Sequence, residues 1–191
     1  EYFDVWWDSE KYNWEEAAIN LVASCNKHFL KWWDPNKFPW DRTSPALPKY
    51  CCEYFDIWWD SDKYNWRWGS WSLAKFCSEC FPKWWNSEKF NWEDASWTLA
   101  CYCSDYFEKW WDPNRYNWER DSAALAEHCC KYFDIWWNPR KFNWKQGSVA
   151  LVKYCTEHVN PRWKRLTNEA KQLLKLKRQR RKIRSQNGRT C

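Results

Sequence analysis

Residues 96–119 read S-W-T-L-A-C-Y-C-S-D-Y-F-E-K-W-W-D-P-N-R-Y-N-W-E, and two periods run through them. The short one is Leu99, Cys103, Tyr106/Phe107, Trp110/Trp111, steps of three and four that mark one face of a helix. The long one is 26 residues. The Trp pair recurs as Trp6-Trp7, Trp32-Trp33, Trp58-Trp59, Trp84-Trp85 and Trp136-Trp137, and a third Trp follows at Trp14, Trp40, Trp66, Trp92, Trp118 and Trp144. Eighteen of the 22 Trp fall in these columns, so the aromatic content is a property of the repeat. Self-similarity at a short fixed period is the mark of a solenoid, whose units bury their apolar faces against their neighbours. The fold class expected is therefore all-α: a short-unit αα-solenoid of six 26-residue repeats over residues 1–158, followed by a C-terminal helical basic tail over 159–191.

Within one unit, Ser44, Ser70, Ser96, Ser122 and Ser148 stand just before the apolar stripe, where helix N-caps belong. Leu47, Leu73, Leu99, Leu125 and Leu151 follow three residues later and are expected to face the core. Asn26, Ser78, Ser104 and Thr156 offer a second capping column, and Pro82 disfavours one long helix, so two short helices joined by a tight turn are expected. After the Trp pair come Asp8, Asp34, Asp60, Asn86, Asp112 and Asn138. Asp and Asn interchange there, so the position calls for an oxygen acceptor and not for a charge. Asn13, Asn65, Asn91, Asn117 and Asn143, with Pro39 the exception, are expected to satisfy backbone groups between repeats. Pro45 and Pro48 predict a distorted or shortened helix between Ser44 and Tyr50.

The negative mean hydropathy resembles that of a disordered chain, but 42 aromatic residues do not. Only three Gly leave little material for tight hairpins. Six of the 11 Cys form one column: Cys25, Cys51, Cys77, Cys103, Cys129 and Cys155. Stacked helices lie roughly 8–10 Å apart, too far for a disulfide along the column. A reduced, intracellular protein in cytoplasm or nucleus is expected. The chain opens in mid-pattern, which reads as a truncation with further repeats or a cap upstream. It contains no signal peptide and no membrane-spanning run.

The spacing L-A-x-x-C-x-x-x-F-x-x-W-W resembles the helix pair of ankyrin repeats, with Trp where that family keeps Leu. The T-P-L-H motif is missing, and the period leaves no room for the β-turn finger of that ~33-residue unit. The tandem W-W-D-P-x-K-[FY]-N-W units are also similar to repeat proteins of large DNA viruses. The resemblance spans residues 1–158 and implies an αα-solenoid with a protein-binding role.

Candidate functional residues follow from what the repeat does and does not require. Trp68, Trp71 and Trp97 lie outside the Trp columns, so stacking does not demand them, and they are candidates for contacting a partner. The basic column Lys11, Lys37, Lys63, Lys89, Arg115 and Lys141 is a second candidate surface for an acidic partner or for phosphates. Its plainer reading is a set of stems lying over neighbouring Trp rings. A Trp-lined glycan site is a third, weaker reading. Cys77-x-x-Cys80 has no second half at zinc-finger spacing, vicinal Cys51-Cys52 and Cys129-Cys130 point to different helix faces, and His28, His128 and His158 read as sharing no column and forming no pair. No metal site and no cofactor are expected. No catalytic motif is present, and the segment reads as a non-enzyme.

The last 33 residues hold 12 Lys or Arg against one acid, net +11, whereas the preceding 158 carry 19 cations against 24 acids, net −5. Leu166, Ala170, Leu173, Leu174 and Leu176 are expected to cap the open end of the stack. Lys175, Lys177, Arg178, Arg180, Arg181, Lys182 and Arg184 put seven cations in ten residues, a run suited to phosphates, anionic surfaces or an import receptor. With few apolar residues there, membrane insertion is not expected. The leading expectation is a non-catalytic protein–protein interaction scaffold with a protein partner. The alternative is non-specific nucleic-acid binding through the tail.

Overall fold

The computed structural model describes residues 2–158; the expected cap and basic tail lie outside the described residues. Every described element is helical, and no strand occurs among them. One unit consists of an 11-residue helix, a linking Cys, a single 3-10 turn, a one-turn helix and a seven-residue connection. In the third and fourth units the long helices are Trp66–Phe76 and Trp92–Tyr102, and the pieces between them are the 3-10 turn Ser78–Cys80 and the helix Phe81–Trp84.

The sequence sets each boundary. A long helix begins on the third Trp because the Asn before it supplies the N-cap: Asn65 Oδ1 accepts from Trp68 N at 3.2 Å and Asn91 Oδ1 from Asp94 N at 3.2 Å. It ends at the column Cys, whose N–H still donates to the Leu four residues back, as Cys77 does to Leu73 at 2.9 Å. The one-turn helix stops at the second Trp, which is extended, with ψ near 120° (122° at Trp85). The Asp or Asn that follows accepts from the N–H two residues on in all six repeats, at 2.8–3.0 Å. That is the acceptor role that the Asp/Asn interchange predicts.

The Ser column does not cap. Ser70 is the fifth residue of its helix and is 1 % exposed. Its hydroxyl donates back to Trp66 O at 2.6 Å and accepts Asn91 N at 3.0 Å, from the next repeat. Ser44–Asn65, Ser96–Asn117 and Ser122–Asn143 repeat this link at 3.0–3.2 Å. The Asn amides return the bond: Asn65, Asn91, Asn117 and Asn143 donate to backbone carbonyls 24 residues earlier. In the second supposed capping column Ser78 and Ser104 make no side-chain cap, while Asn26 Oδ1 accepts from Lys27 N at 3.0 Å. Ser70→Ala strands the Asn91 N–H at a part-buried junction and is expected to cost about 1–3 kcal/mol. A urea melt of the variant checks this, and an unchanged midpoint would refute the junction role.

The core is built from columns. Leu21, Leu47, Leu73, Leu99, Leu125 and Leu151 are buried to 1 % or less, as are Phe29, Phe81 and Phe107. The first Trp of the pair is the deepest: Trp32, Trp58, Trp84, Trp110 and Trp136 are 1–2 % exposed. Each donates its indole N–H to the carbonyl of the Cys that ends the long helix, at 2.8 Å, satisfying a C-terminal carbonyl that the helix leaves open. The second Trp stacks on the Phe of its own unit, Trp85 on Phe81 at 5.1 Å and 17°, and meets the third edge-on, Trp92 at 5.7 Å and 80°. The third Trp ties down the turn, with Trp66 Nε1 donating to Ser61 O at 2.8 Å and Trp92 Nε1 to Ser87 O at 2.9 Å.

Gly69 packs under Tyr64, and a Cβ there would overlap the phenol ring. Ala17 and Ala95 nevertheless occupy the same place beside Tyr12 and Phe90, so the ring has room to yield. Against that shift stands about 1 kcal/mol of helix propensity gained over Gly. Gly69→Ala is expected to move stability by less than about 1 kcal/mol in either direction. A larger loss on denaturation would mean that the Tyr64 site is the tighter one.

The second unit differs as its prolines predict. Pro39 replaces the capping Asn and makes no side-chain bond. In place of one long helix there are Trp40–Thr43, a 3-10 turn Ser44–Ala46 and Leu47–Cys51. Pro45 and Pro48 lack the N–H groups that a continuous helix needs.

The chain divides into two compact units, Glu1–Asn117 and Trp118–Cys191, so the division falls inside the repeat array. In the first, Trp66–Phe76 packs on Trp92–Tyr102 and on the broken segment of the second repeat; in the second, Trp118–His128 packs on Trp144–Tyr154.

Candidate binding surface

A helix that turns Ser70, Leu73 and Ala74 inward presents to solvent the positions one or two residues removed from them, which are themselves three and four apart. In Trp66–Phe76 that outward stripe is Trp68, Trp71 and Lys75; in Trp92–Tyr102 it is Asp94, Trp97 and Cys101. Trp68 is 62 % and Trp71 is 42 % exposed, against 1 % for Trp84. Trp97 is half-buried. Trp71 and Trp97 hold equivalent places on two helices that pack side by side, and the structure thereby brings these two candidates onto one face. Trp68 lies a turn away, with the Arg67 guanidinium 5.4 Å from its ring.

Two aromatic residues join them that the sequence reading passed over. Phe76 lies 6.1 Å from Trp71, and Tyr102 lies 6.3 Å from Trp97. Lys75 spans the two helices, its ammonium 5.2 Å from the Phe76 ring and 5.9 Å from that of Tyr102. The same stripe begins earlier in this unit with Ile19, 43 % exposed, and continues through Lys49, 4.5 Å over Tyr50. The signal was a column: positions 50, 76 and 102 are Tyr, Phe and Tyr, one repeat apart.

The cations of the basic column are placed at repeat junctions. Lys37 donates to Ser9 Oγ at 3.0 Å and pairs with Glu10. Lys89 donates to Ser61 O at 2.9 Å and pairs with Asp62. Arg115 Nη1 donates to Ser87 O at 2.6 Å while Nη2 meets Glu88. These partners hold the Asp62 and Glu88 carboxyls below their ordinary range, chiefly by the hydrogen bonds from Lys89 and Arg115. Before Lys63 the turn offers Pro35 in place of Ser, and that ammonium rests 5.8 Å from the Trp40 ring and 3.9 Å from Asp60. Lys11 lies 3.2 Å from Asp8; Lys141 continues the column in the second unit. Solvent-exposed ion pairs contribute little stability singly, so these are chiefly register contacts.

Burial pushes the column thiols up, Cys51 and Cys103 to about 12, so they are neutral in the reduced chain. Their S–H groups point at carbonyls 29 residues earlier, Cys103 at Ala74 O (3.6 Å) and Cys155 at Ala126 O (3.3 Å). His28 and His158 prove to share a column and stack on Phe3 and Phe133 at 4.6 Å. Among the described residues no group of three His, Cys, Asp or Glu is arranged to hold a metal ion. No helix among them is long and apolar enough to cross a membrane. A groove of about 540 Å³ between the turns is lined by Glu15, Asp41 and Asp62 against Arg42 and Lys63, with Trp40 beside them.

These features define an all-helical, tryptophan-rich tandem-repeat protein. No family model, no curated protein and no solved structure matches the chain.

Proposed function

We propose that the chain is a non-catalytic protein-interaction scaffold, and that its binding face is the outward stripe around Trp71, Trp97, Phe76 and Tyr102. One observation carries this: the first Trp of the pair is buried at Trp32, Trp58, Trp84, Trp110 and Trp136, whereas Trp68 and Trp71 are left in water on the face of a helix whose core side is already filled. Exposed aromatic clusters of this kind mark interaction sites, and Trp and Tyr dominate binding hot spots. The full stripe carries Arg42, Lys49 and Lys75 against Glu16 and Asp94, with the two acids at its outer end and Lys49 and Lys75 at the end beside Tyr50, Phe76 and Tyr102. The partner that fits is a protein segment combining apolar anchors with carboxylates. The resemblance to the ankyrin helix pair supports the same reading.

The test is selection from a displayed random-peptide library against the full chain. Peptides that mix aromatic or aliphatic residues with Asp or Glu, and that fail on Trp71→Ala/Trp97→Ala, support the proposal. Peptides that bind that variant equally well would sink it. The second reading rests on the seven cations between Lys175 and Arg184. Duplex-DNA affinity that falls steeply with salt, and that vanishes in a chain ended at His158, would favour it.

A further inference from the structure

The column of positions 26, 52, 78, 104, 130 and 156 opens the 3-10 turn of each repeat and points at the end of the next long helix. Asn26 demonstrates the direction, donating its amide to Tyr50 O at 3.0 Å. In two repeats this position is Cys, and each time its thiol meets a thiol one repeat on. Cys52 shares a hydrogen bond with Cys77, and Cys130 shares one with Cys155. The offset is 25 residues in both cases, and the pairs lie in different compact units. The same arrangement has thus formed twice from the same register.

Access differs within each pair. Cys52 and Cys130 are partly exposed, while Cys77 and Cys155 are 1 % and 0 % exposed. Cys130 and Cys155 both line a cleft of about 280 Å³. Around Cys52 the repeat has also changed. Elsewhere a Tyr or His ring covers the Phe of the preceding unit, as Tyr54 covers Phe29 and Tyr106 covers Phe81, both at 4.6 Å. Against Phe55 the corresponding residue is Cys80, which brings a third thiol within hydrogen-bond reach of Cys52. Hydrogen bonding with the Cys77 and Cys80 thiols holds Cys52 below the ordinary thiol range. Burial and the Cys52 contact raise Cys77.

We propose that Cys52–Cys77 and Cys130–Cys155 are peroxide-oxidisable dithiols that become disulfides across the repeat junction. The partly exposed sulfur attacks hydrogen peroxide: an S–O bond forms, the O–O bond breaks, and the departing hydroxide takes a proton and leaves as water. The buried thiol then attacks the resulting sulfenic sulfur. An S–S bond forms, the S–O bond breaks, and the second water carries off the buried thiol's proton. Two thiols give up two electrons and peroxide accepts them, so no further reductant or oxidant is needed. The product fastens the start of one unit's 3-10 turn to the end of the next unit's long helix.

The experiment treats the reduced full chain with hydrogen peroxide, alkylates the remaining thiols and digests it with trypsin without reductant. Mass spectrometry should find peptide 50–63 joined to 76–83 and peptide 121–131 joined to 154–162. Cys52→Ser, at a partly exposed position, should lose the first link alone, and Cys130→Ser the second alone. Cys80→Ser should keep the first link, which assigns it to Cys77. The same treatment in urea should lose both links, so a misfolded variant is recognised by comparison with the unfolded wild type. No link in the folded chain, a first link that survives Cys52→Ser, or equal linking in urea would each overturn the proposal.

Discussion

Trp84→Ala is expected to cost about 3–5 kcal/mol from cavity formation, with more lost through the carbonyl it leaves unpaired. The indole is 1 % exposed, stands edge-on to Phe81 at 5.0 Å and lies 22° from parallel to Phe90. Its N–H closes the end of the helix Trp66–Phe76 through Cys77 O, and an orphaned buried acceptor costs about 1–3 kcal/mol. A domain of this size has some 5–15 kcal/mol in hand, and each unit of a stack relies on its neighbours. The loss therefore removes a large part of the stability of the whole first unit. Urea unfolding followed by far-ultraviolet circular dichroism reads it out. Trp84→Phe should fall between, keeping most of the buried area while losing the donor. A cost below about 1 kcal/mol for the alanine variant would mean that the column is not the structural spine described above.

Trp71→Ala/Trp97→Ala should behave in the opposite way. Hot-spot truncations cost at least about 2 kcal/mol each, roughly 30-fold in affinity per residue. For a peptide selected on the wild-type chain, the double variant should therefore bind weakly or not at all. Its urea midpoint should stay near that of the wild type, because Trp71 is 42 % exposed and its helix is held by Leu73, Ala74 and Ser70. Titration of a labelled peptide, with unfolding measured on the same samples, checks both halves. A variant that unfolds early while binding normally would assign these two Trp to the core and remove the basis of the proposed function. The contrast with Trp84 makes the pair informative, since one residue type is asked to play two roles on two helices of one repeat.

Much of this was legible in the sequence. The Trp spacing defined the unit, Pro45 and Pro48 marked the broken helix, and the Asp/Asn interchange disclosed an acceptor. The Ser column misled, because Ser before an apolar stripe is what an N-cap looks like. The helix in fact starts four residues earlier at the third Trp, where Asn caps it, and the Ser hydroxyl reaches Asn91 N, 21 residues away. A pattern within one repeat cannot reveal a bond whose other end lies in the next. Phe76 and Tyr102 were overlooked for a related reason: in a chain so rich in rings, their column merges with the core pattern until the helix fixes which way each side faces. Cys80 too became meaningful only beside Phe55, where its siblings carry rings.

The polar links within each compact unit have a consequence for how such a gene changes. Ser-to-Asn, Asn-to-carbonyl, Lys-to-turn and thiol-to-carbonyl contacts all reach between 21 and 29 residues along the chain. None of them skips a repeat. Duplicating or excising one whole unit therefore preserves the offsets of these links at the new junction, save where Pro35 or Pro39 has removed a partner, whereas removing half a unit severs them at once. Length in this architecture is inherited in steps, and recombination between copies can lengthen or shorten the protein without designing a new interface.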